Sequence, residues 1–233
     1  MSLDREKEAA ARKALEFVES GMRLGLGTGS TAESFVRLLG QKVADGLKVV
    51  GVPTSERTRE VMEELSIPVT HLGETPRLDL TVDGADEFDG DLNLIKGGGG
   101  ALLREKIVAA ASKRMVVIAD HTKKVDVLGE FPLAIEVVPF GAEATALHIA
   151  EIARAHGSGG AIERRADEFG EPFLTDSNNF IYDCHFRRIA DASGLCRDLN
   201  LVPGVVDNGL FIDMADVVIV ATGDRIDLLE RRR

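Results

Sequence analysis

Five short apolar runs, each followed by a stretch with helical spacing, constrain this chain most, because that alternation asks for buried strands with covering helices. Runs at residues 22–26, 48–52, 78–82, 92–96 and 115–119 read as strands. Between them, residues 4–19 place Ala10, Ala14, Phe17 and Val18 at helical spacing, and 31–39, 55–65 and 101–111 read as further helices. The expected fold class is α/β: an open Rossmann-like parallel sheet. Such sheets bind ligands where the carboxyl ends of strands turn into helices.

From residue 131 the rhythm changes to strand 133–138, helix 142–156, strands 160–165 and 180–185, helix 189–200 and strand 205–211. That βαββαβ order is ferredoxin-like. A last apolar run, 216–222, reads as a buried parallel strand that rejoins the first sheet. The expected organisation is an α/β catalytic domain of residues 1–129 and 207–233 with an inserted smaller α+β domain at 130–206, and residues 231–233 as a solvated tail.

At 233 residues and 44% hydrophobic content the chain can bury about 70% of its unfolded surface. With 28 basic and 39 acidic residues its net charge of −11 repels nucleic acid and anionic lipid, so neither is an expected partner. Apolar runs such as 217–221 fall far short of the roughly 20 residues of a membrane helix. Residues 1–20 alternate acids and bases without the apolar core of a secretion signal, which points to the cytoplasm. Cys184 and Cys196 lack zinc-site spacing and read as packing residues, and the five histidines show no ligand motif.

Three loops carry candidate chemistry. The first, Gly25-Leu26-Gly27-Thr28-Gly29-Ser30-Thr31, lies where a strand gives way to a helix, and its N–H groups suit a phosphate. It also fits a dinucleotide fingerprint as Gly27-x-Gly29-x-x-Ala32, but the second strand ends in Pro53-Thr54-Ser55 instead of the ribose-binding acid, so a simple phosphate fits better.

The second loop, Asp83-Gly84-Ala85-Asp86-Glu87, sets two carboxylates three residues apart, a pair able to split acid and base roles. A calcium loop starting at Asp89 fails at Leu94 and Gly100, where glycine and glutamate are needed; magnesium and a plain acidic turn stay open as readings.

In the third, Lys96-Gly97-Gly98-Gly99-Gly100, the amides and the lysine suit negative charge developing on an oxygen. Glu105 follows about five residues into the next helix, roughly 7 Å along its axis, and leans back toward the loop. Arg104-Glu105-Lys106 also reads as an ordinary charged helix face. Lys123, after a fourth strand, and Lys7, on the first helix, are cations available to an anionic ligand. No G-x-S-x-G elbow and no nucleoside triphosphate loop occurs.

Together these parts supply what proton transfer beside a carbonyl requires: a base, donors for the enediolate oxygen, and an acid. The same motifs, with Asp120-His121-Thr122-Lys123 and Pro203-Gly204-Val205-Val206-Asp207-Asn208-Gly209-Leu210-Phe211, closely resemble ribose-5-phosphate isomerase, type A, in family order over nearly the whole chain.

The resemblance implies interconversion of D-ribose 5-phosphate and D-ribulose 5-phosphate, in the non-oxidative pentose phosphate pathway, without metal or other cofactor. It implies Glu105, Asp83, Asp86 and Lys96 as catalytic residues, with Glu105 the proton shuttle, Asp83 assisting ring opening and Lys96 supporting the enediolate. Thr28, Gly29, Ser30, Thr31, Asp83, Gly84, Ala85, Asp86, Lys96, Gly97, Gly98, Gly99 and Lys123 would bind the sugar phosphate. It also implies a homodimer or homotetramer, with subunit contacts on the small domain. There Thr175-Asp176-Ser177-Asn178-Asn179 replaces the usual glycine-containing turn. The alternative is a non-catalytic sugar-phosphate sensor domain, which needs a basic DNA-reading helix that is not evident; an NAD oxidoreductase ranks third.

Overall fold

A computed structural model describes residues 2–231. In chain order the elements are α1 (Leu3–Ala14), β1 (Arg23–Leu26), α2 (Ser30–Ala44), β2 (Val50–Pro53), α3 (Glu56–Glu64), β3 (Leu80–Gly84), β4 (Glu87–Phe88), β5 (Leu94–Ile95), α4 (Leu102–Ala110) and β6 (Met115–Asp120). They continue with β7 (Leu133–Val137), α5 (Ala142–Ala155), β8 (Ile162–Arg164), β9 (Phe180–Cys184), α6 (Ala192–Leu199), β10 (Val205–Asn208), β11 (Leu210–Phe211), β12 (Val217–Thr222) and β13 (Arg225–Glu230).

The chain forms two compact units, one of residues 1–85, 104–123 and 213–233, the other of residues 86–103 and 124–212. The first holds a six-stranded sheet of order β13-β12-β6-β3-β1-β2, parallel except for β13. Every residue of β6 is buried, as expected of a central parallel strand covered on both faces. Leu24, Leu26, Phe35, Leu39, Met62, Val116, Ile118 and Ile219 fill its main core. Because β1 lies between β2 and β3, the chain turns to one side after β1 and to the other before β3. The carboxyl ends of β1 and β3 therefore flank a topological switch point, the usual ligand crevice of such sheets.

The second unit has an antiparallel sheet of order β10-β7-β9-β8. Numbered within the βαββαβ segment this is 4-1-3-2, the ferredoxin-like arrangement. Leu133, Ile135, Val137, Ile149, Leu195 and Leu199 pack beneath it. A second, three-stranded sheet has the order β11-β5-β4.

Several expectations need correction. Residues 92–96 are not a strand of the parallel sheet: Asp89 Oδ1 accepts the amides of Asp91 and Asn93, and Leu92 takes a φ of 59°, so only Leu94 and Ile95 extend, pairing antiparallel with β4 and β11. Residues 205–211 form two strands, because the chain leaves β7 at Gly209 and continues on β5. The helix of 4–19 stops at Ala14 and ends in a 3-10 turn, Leu15–Phe17. The helix expected from 189 starts at Ala192, where the Asp191 carboxylate caps the amide of Gly194.

Edge strand β13 was not expected, although its two-residue turn Gly223-Asp224, with Gly223 at φ 57°, is a hairpin signal. Arg231 is not part of a solvated tail: its guanidinium bonds Asp213 and the Ala215 carbonyl, while residues 232 and 233 lie outside the described residues. Residues 86–103, 124–129 and 207–212 fall in the second unit together with 130–206. Cys184 and Cys196 are both free thiols, and burial pushes the Cys184 thiol well up.

Candidate active site

Asp83 occupies the carboxyl end of β3 and is completely buried. Its Oδ1 accepts the amides of Gly84 at 2.7 Å and Thr28 at 3.2 Å, tying β3 to the loop after β1. That approach requires glycine at 27, since a Cβ there would stand 2.0 Å from Asp83 Oδ1. The hydroxyl of the half-buried Thr28 turns to three neighbouring hydroxyls. It lies 2.7, 2.8 and 3.1 Å from the hydroxyls of Thr54, Ser55 and Thr58, and Thr58 in turn donates to the Gly27 carbonyl. This buried hydroxyl cluster, which the sequence reading missed, stands where a dinucleotide site would carry its acid. The signal was Thr54-Ser55 after β2, read only as a missing carboxylate. Ser55 also caps α3 by accepting the amide of Thr58.

Beyond Thr28 the chain enters α2, with Gly29 and Ser30 exposed and Thr31 half-buried. Lys7 of α1 donates from Nζ to Ser30 Oγ at 3.1 Å. The helix N-terminus thus gains the ammonium considered only loosely from sequence. Lys123 is half-buried in a 3-10 turn, His121–Lys123, directly after β6.

Glu105 belongs to the buried stripe of α4. Leu102, Glu105, Val108 and Ala109 follow helical spacing and are all buried, Glu105 being 4% exposed. Its neighbour Arg104 turns out to Glu56 at 2.9 Å, so the charged-face reading holds for Arg104 and fails for Glu105. The Thr81 hydroxyl meets Ser112 Oγ at 2.6 Å, which places α4 on the face of β3 that Thr81 points to. Gly25 allows the close packing, since a Cβ there would stand 2.5 Å from Val108 Cγ1.

From that anchor both carboxylates advance the same way. Asp83 is two residues beyond Thr81, on the same strand face and about 6.6 Å nearer the carboxyl edge. Glu105 is three residues before Val108 in a helix that runs back from that edge, about 4.5 Å along its axis. Asp83 and Glu105 therefore share one face and one end of the sheet, at the switch point.

The second unit carries the other expected residues. Lys96 follows β5, is 3% exposed, and holds its ammonium 5.6 Å from the centre of the Phe211 ring, a cation–π distance. Asp86 Oδ2 accepts the Gly98 amide at 2.8 Å. One of the amides expected to face an anion is thus held by a carboxylate. Gly98 and Gly99 are exposed, Gly97 and Gly100 buried.

Glu6, Asp120 and His121 bring ligand-capable atoms within 4.8 Å of one another, a proximity the sequence did not suggest. Both Glu6 oxygens are engaged, one by the Gly223 amide and the other by His121 Nδ1, and Asp120 takes the amide and hydroxyl of Thr122. The Gly223 amide and then His121 hold the Glu6 carboxyl below its usual range. Glu6 thus braces α1 against the turn after β6 and the turn after β12.

Residues 50–225 match the family model described as ribose 5-phosphate isomerase A (phosphoriboisomerase A). The chain belongs to the ribose 5-phosphate isomerase A family. The family member from Parvibaculum lavamentivorans is 64% identical over 230 residues, covering 99% of this chain and 100% of its own, and that from Nitrobacter hamburgensis is 60% identical over the full length of both. Among solved structures, a D-ribose-5-phosphate isomerase in complex with phospho-erythronic acid superposes with a TM-score of 0.92 at 41% identity, covering 99% of this chain and 100% of that one. The ribose 5-phosphate isomerase from Plasmodium falciparum superposes with a TM-score of 0.93 at 36% identity, with the same coverage. Ribose 5-phosphate isomerase A membership over the whole length disfavours both the sensor and the oxidoreductase readings.

Proposed function

We propose that this chain interconverts D-ribose 5-phosphate and D-ribulose 5-phosphate through an enediolate. The observation that carries the reading is the buried Glu105 on the same face and sheet end as Asp83, in a chain of this family. Glu105 removes the C2 proton of the open aldose and returns it to C1, while the proton of the C2 hydroxyl passes to the C1 oxygen. Asp83, fixed by two amides, exchanges the proton that opens the sugar ring. Lys96 and the Gly99 amide stabilise the enediolate charge, with Asp86 holding the glycine run in place through Gly98. Gly29, Ser30 and Thr31, with Lys7, receive the phosphate at the N-terminus of α2; Lys123, Gly84 and Ala85 complete the binding set, and Thr28 serves by holding its loop.

The phospho-erythronic acid bound by the solved relative is a phosphorylated acid of the kind that mimics such an enediolate, and it supports this reading. The purified protein in deuterium oxide should convert ribose 5-phosphate to ribulose 5-phosphate with deuterium entering at C1, seen by NMR. No conversion, or conversion that retains all substrate hydrogen against a rapidly exchanging solvent, would overturn it.

A homo-oligomer built through the small unit is part of the same proposal. Phe140, Leu147 and Leu201 are 93, 68 and 75% exposed. Their segments lie side by side, since the Val138 amide bonds the Gly204 carbonyl and the Thr145 hydroxyl bonds the Pro203 carbonyl. Among the described residues no helix is long and apolar enough to cross a membrane.

A further inference from the structure

Arg165, just beyond β8, makes an arrangement that none of the assigned roles uses. Its Nε and Nη2 form a fork onto the Asp183 carboxylate of β9, at 2.8 and 2.6 Å. Its remaining nitrogen, Nη1, donates to the carbonyls of Gly97 and Gly98 at 3.0 and 3.1 Å. The guanidinium also lies 5.7 Å from the centre of the Phe173 ring, and that ring closes on Gly100, where a Cβ would stand 2.5 Å from its edge. The side chains of Arg165 and Asp183 are only 15 and 21% exposed, so this is a built contact and not a surface ion pair.

The consequence follows from peptide geometry. Across a planar trans peptide the C=O of one residue and the N–H of the next point in opposite directions. Fixing the Gly97 carbonyl aims the Gly98 amide, which meets Asp86, and fixing the Gly98 carbonyl aims the Gly99 amide. Four consecutive glycines have little intrinsic preference for any one orientation, so an external clamp must choose it. A lysine cannot replace the clamp, because a single ammonium lacks the planar fork that grips a carboxylate and two carbonyls together.

We propose that Arg165, anchored by Asp183, is a positioning residue that keeps the Gly98 amide on Asp86 and holds the Gly99 amide in the orientation needed to stabilise the enediolate. The inference rests on the isomerase reading for its catalytic part. Its structural part is read without substrate, from hydrogen exchange at the Gly98 amide.

In Arg165→Met, exchange at Gly98, whose amide Asp86 accepts, should accelerate at least about tenfold with exchange in β7 and β9 unchanged, as local opening allows. The kcat should fall about 10²-fold, the scale of one lost oxyanion donor, with KM for ribose 5-phosphate within about threefold. Inhibition by phospho-erythronic acid should weaken by a factor matching the loss of kcat, and inhibition by inorganic phosphate should not change. Arg165→Lys should resemble Arg165→Met. Asp183→Asn, which keeps the guanidinium and loosens its anchor, should fall between and guards against a fold defect in the first variant. Unchanged exchange at Gly98, or a kcat within twofold of the parent in all three variants, overturns the proposal. So does a fall in phosphate and phospho-erythronic acid affinity by equal factors. An inactive parent protein would instead defeat the isomerase reading, while the amide exchange would still judge the clamp.

Discussion

Asp83 is held by geometry that a single methyl group disrupts. Gly27→Ala would put its Cβ 2.0 Å from the carboxylate, so Asp83 must move or the β1 loop must lift. A displacement on the order of 1 Å at a reacting group costs up to about 10²-fold, and kcat for Gly27→Ala should drop at least tenfold. Steady-state kinetics with circular dichroism to confirm folding checks this; a kcat within twofold would show that Asp83 is not where the reaction needs it. Thr28→Val should lower stability, removing the Thr28 hydroxyl as partner of Thr54, Ser55 and Thr58, by about 1–3 kcal/mol in denaturant unfolding. At this scale the sequence was legible where residue type and position coincide, as for Asp83 and Glu105. It was not legible for Thr28 or Arg165, whose side-chain hydrogen-bond partners lie at least 18 residues away in the chain.

Among the elements, β1 and β3 are tied at their amino ends by Asp79, which takes the Arg23 guanidinium at two points, the Arg23 amide and Lys113. The Arg23 guanidinium foremost, then its amide and Lys113, hold the Asp79 carboxyl far below the usual range. A depressed carboxylate pKa contributes stability that is present above the unfolded value near 3.9 and lost as pH falls through the folded value. Asp79→Asn should lower stability at pH 7 on the order of 1–2 kcal/mol and flatten the decline of Tm below about pH 4. An acid limb as steep as the parent's would refute that assignment. The helices and parallel strands were readable because period and length agree. The two-residue strands β4 and β5 were not, since an Asx turn at Asp89 cuts the apolar run short. Edge strand β13, with alternate residues exposed, carries too little apolar signal outside its turn.

For the whole molecule, the exposed Phe140, Leu147 and Leu201 predict self-association through the small unit. Phe140→Asp with Leu201→Asp should shift the species seen by light scattering to the monomer mass, and an unchanged mass would place the contact elsewhere. Treatment with EDTA should leave kcat unchanged, because Glu6 is engaged by His121 and the Gly223 amide, and Asp120 by Thr122. Loss on chelation with recovery on magnesium would reassign them. The division into a parallel sheet and a ferredoxin-like unit was legible from the change of rhythm near residue 131. The three-stranded sheet was not, since β11 pairs with β5 across more than 100 residues of chain.

The central claim is that Glu105 carries the proton. Turnover of ribose 5-phosphate by Glu105→Gln, measured alongside phospho-erythronic acid affinity, tests it most directly. A fall in kcat of about 10²–10⁴-fold with affinity kept within severalfold is predicted. Near-parental turnover in the folded variant would contradict it.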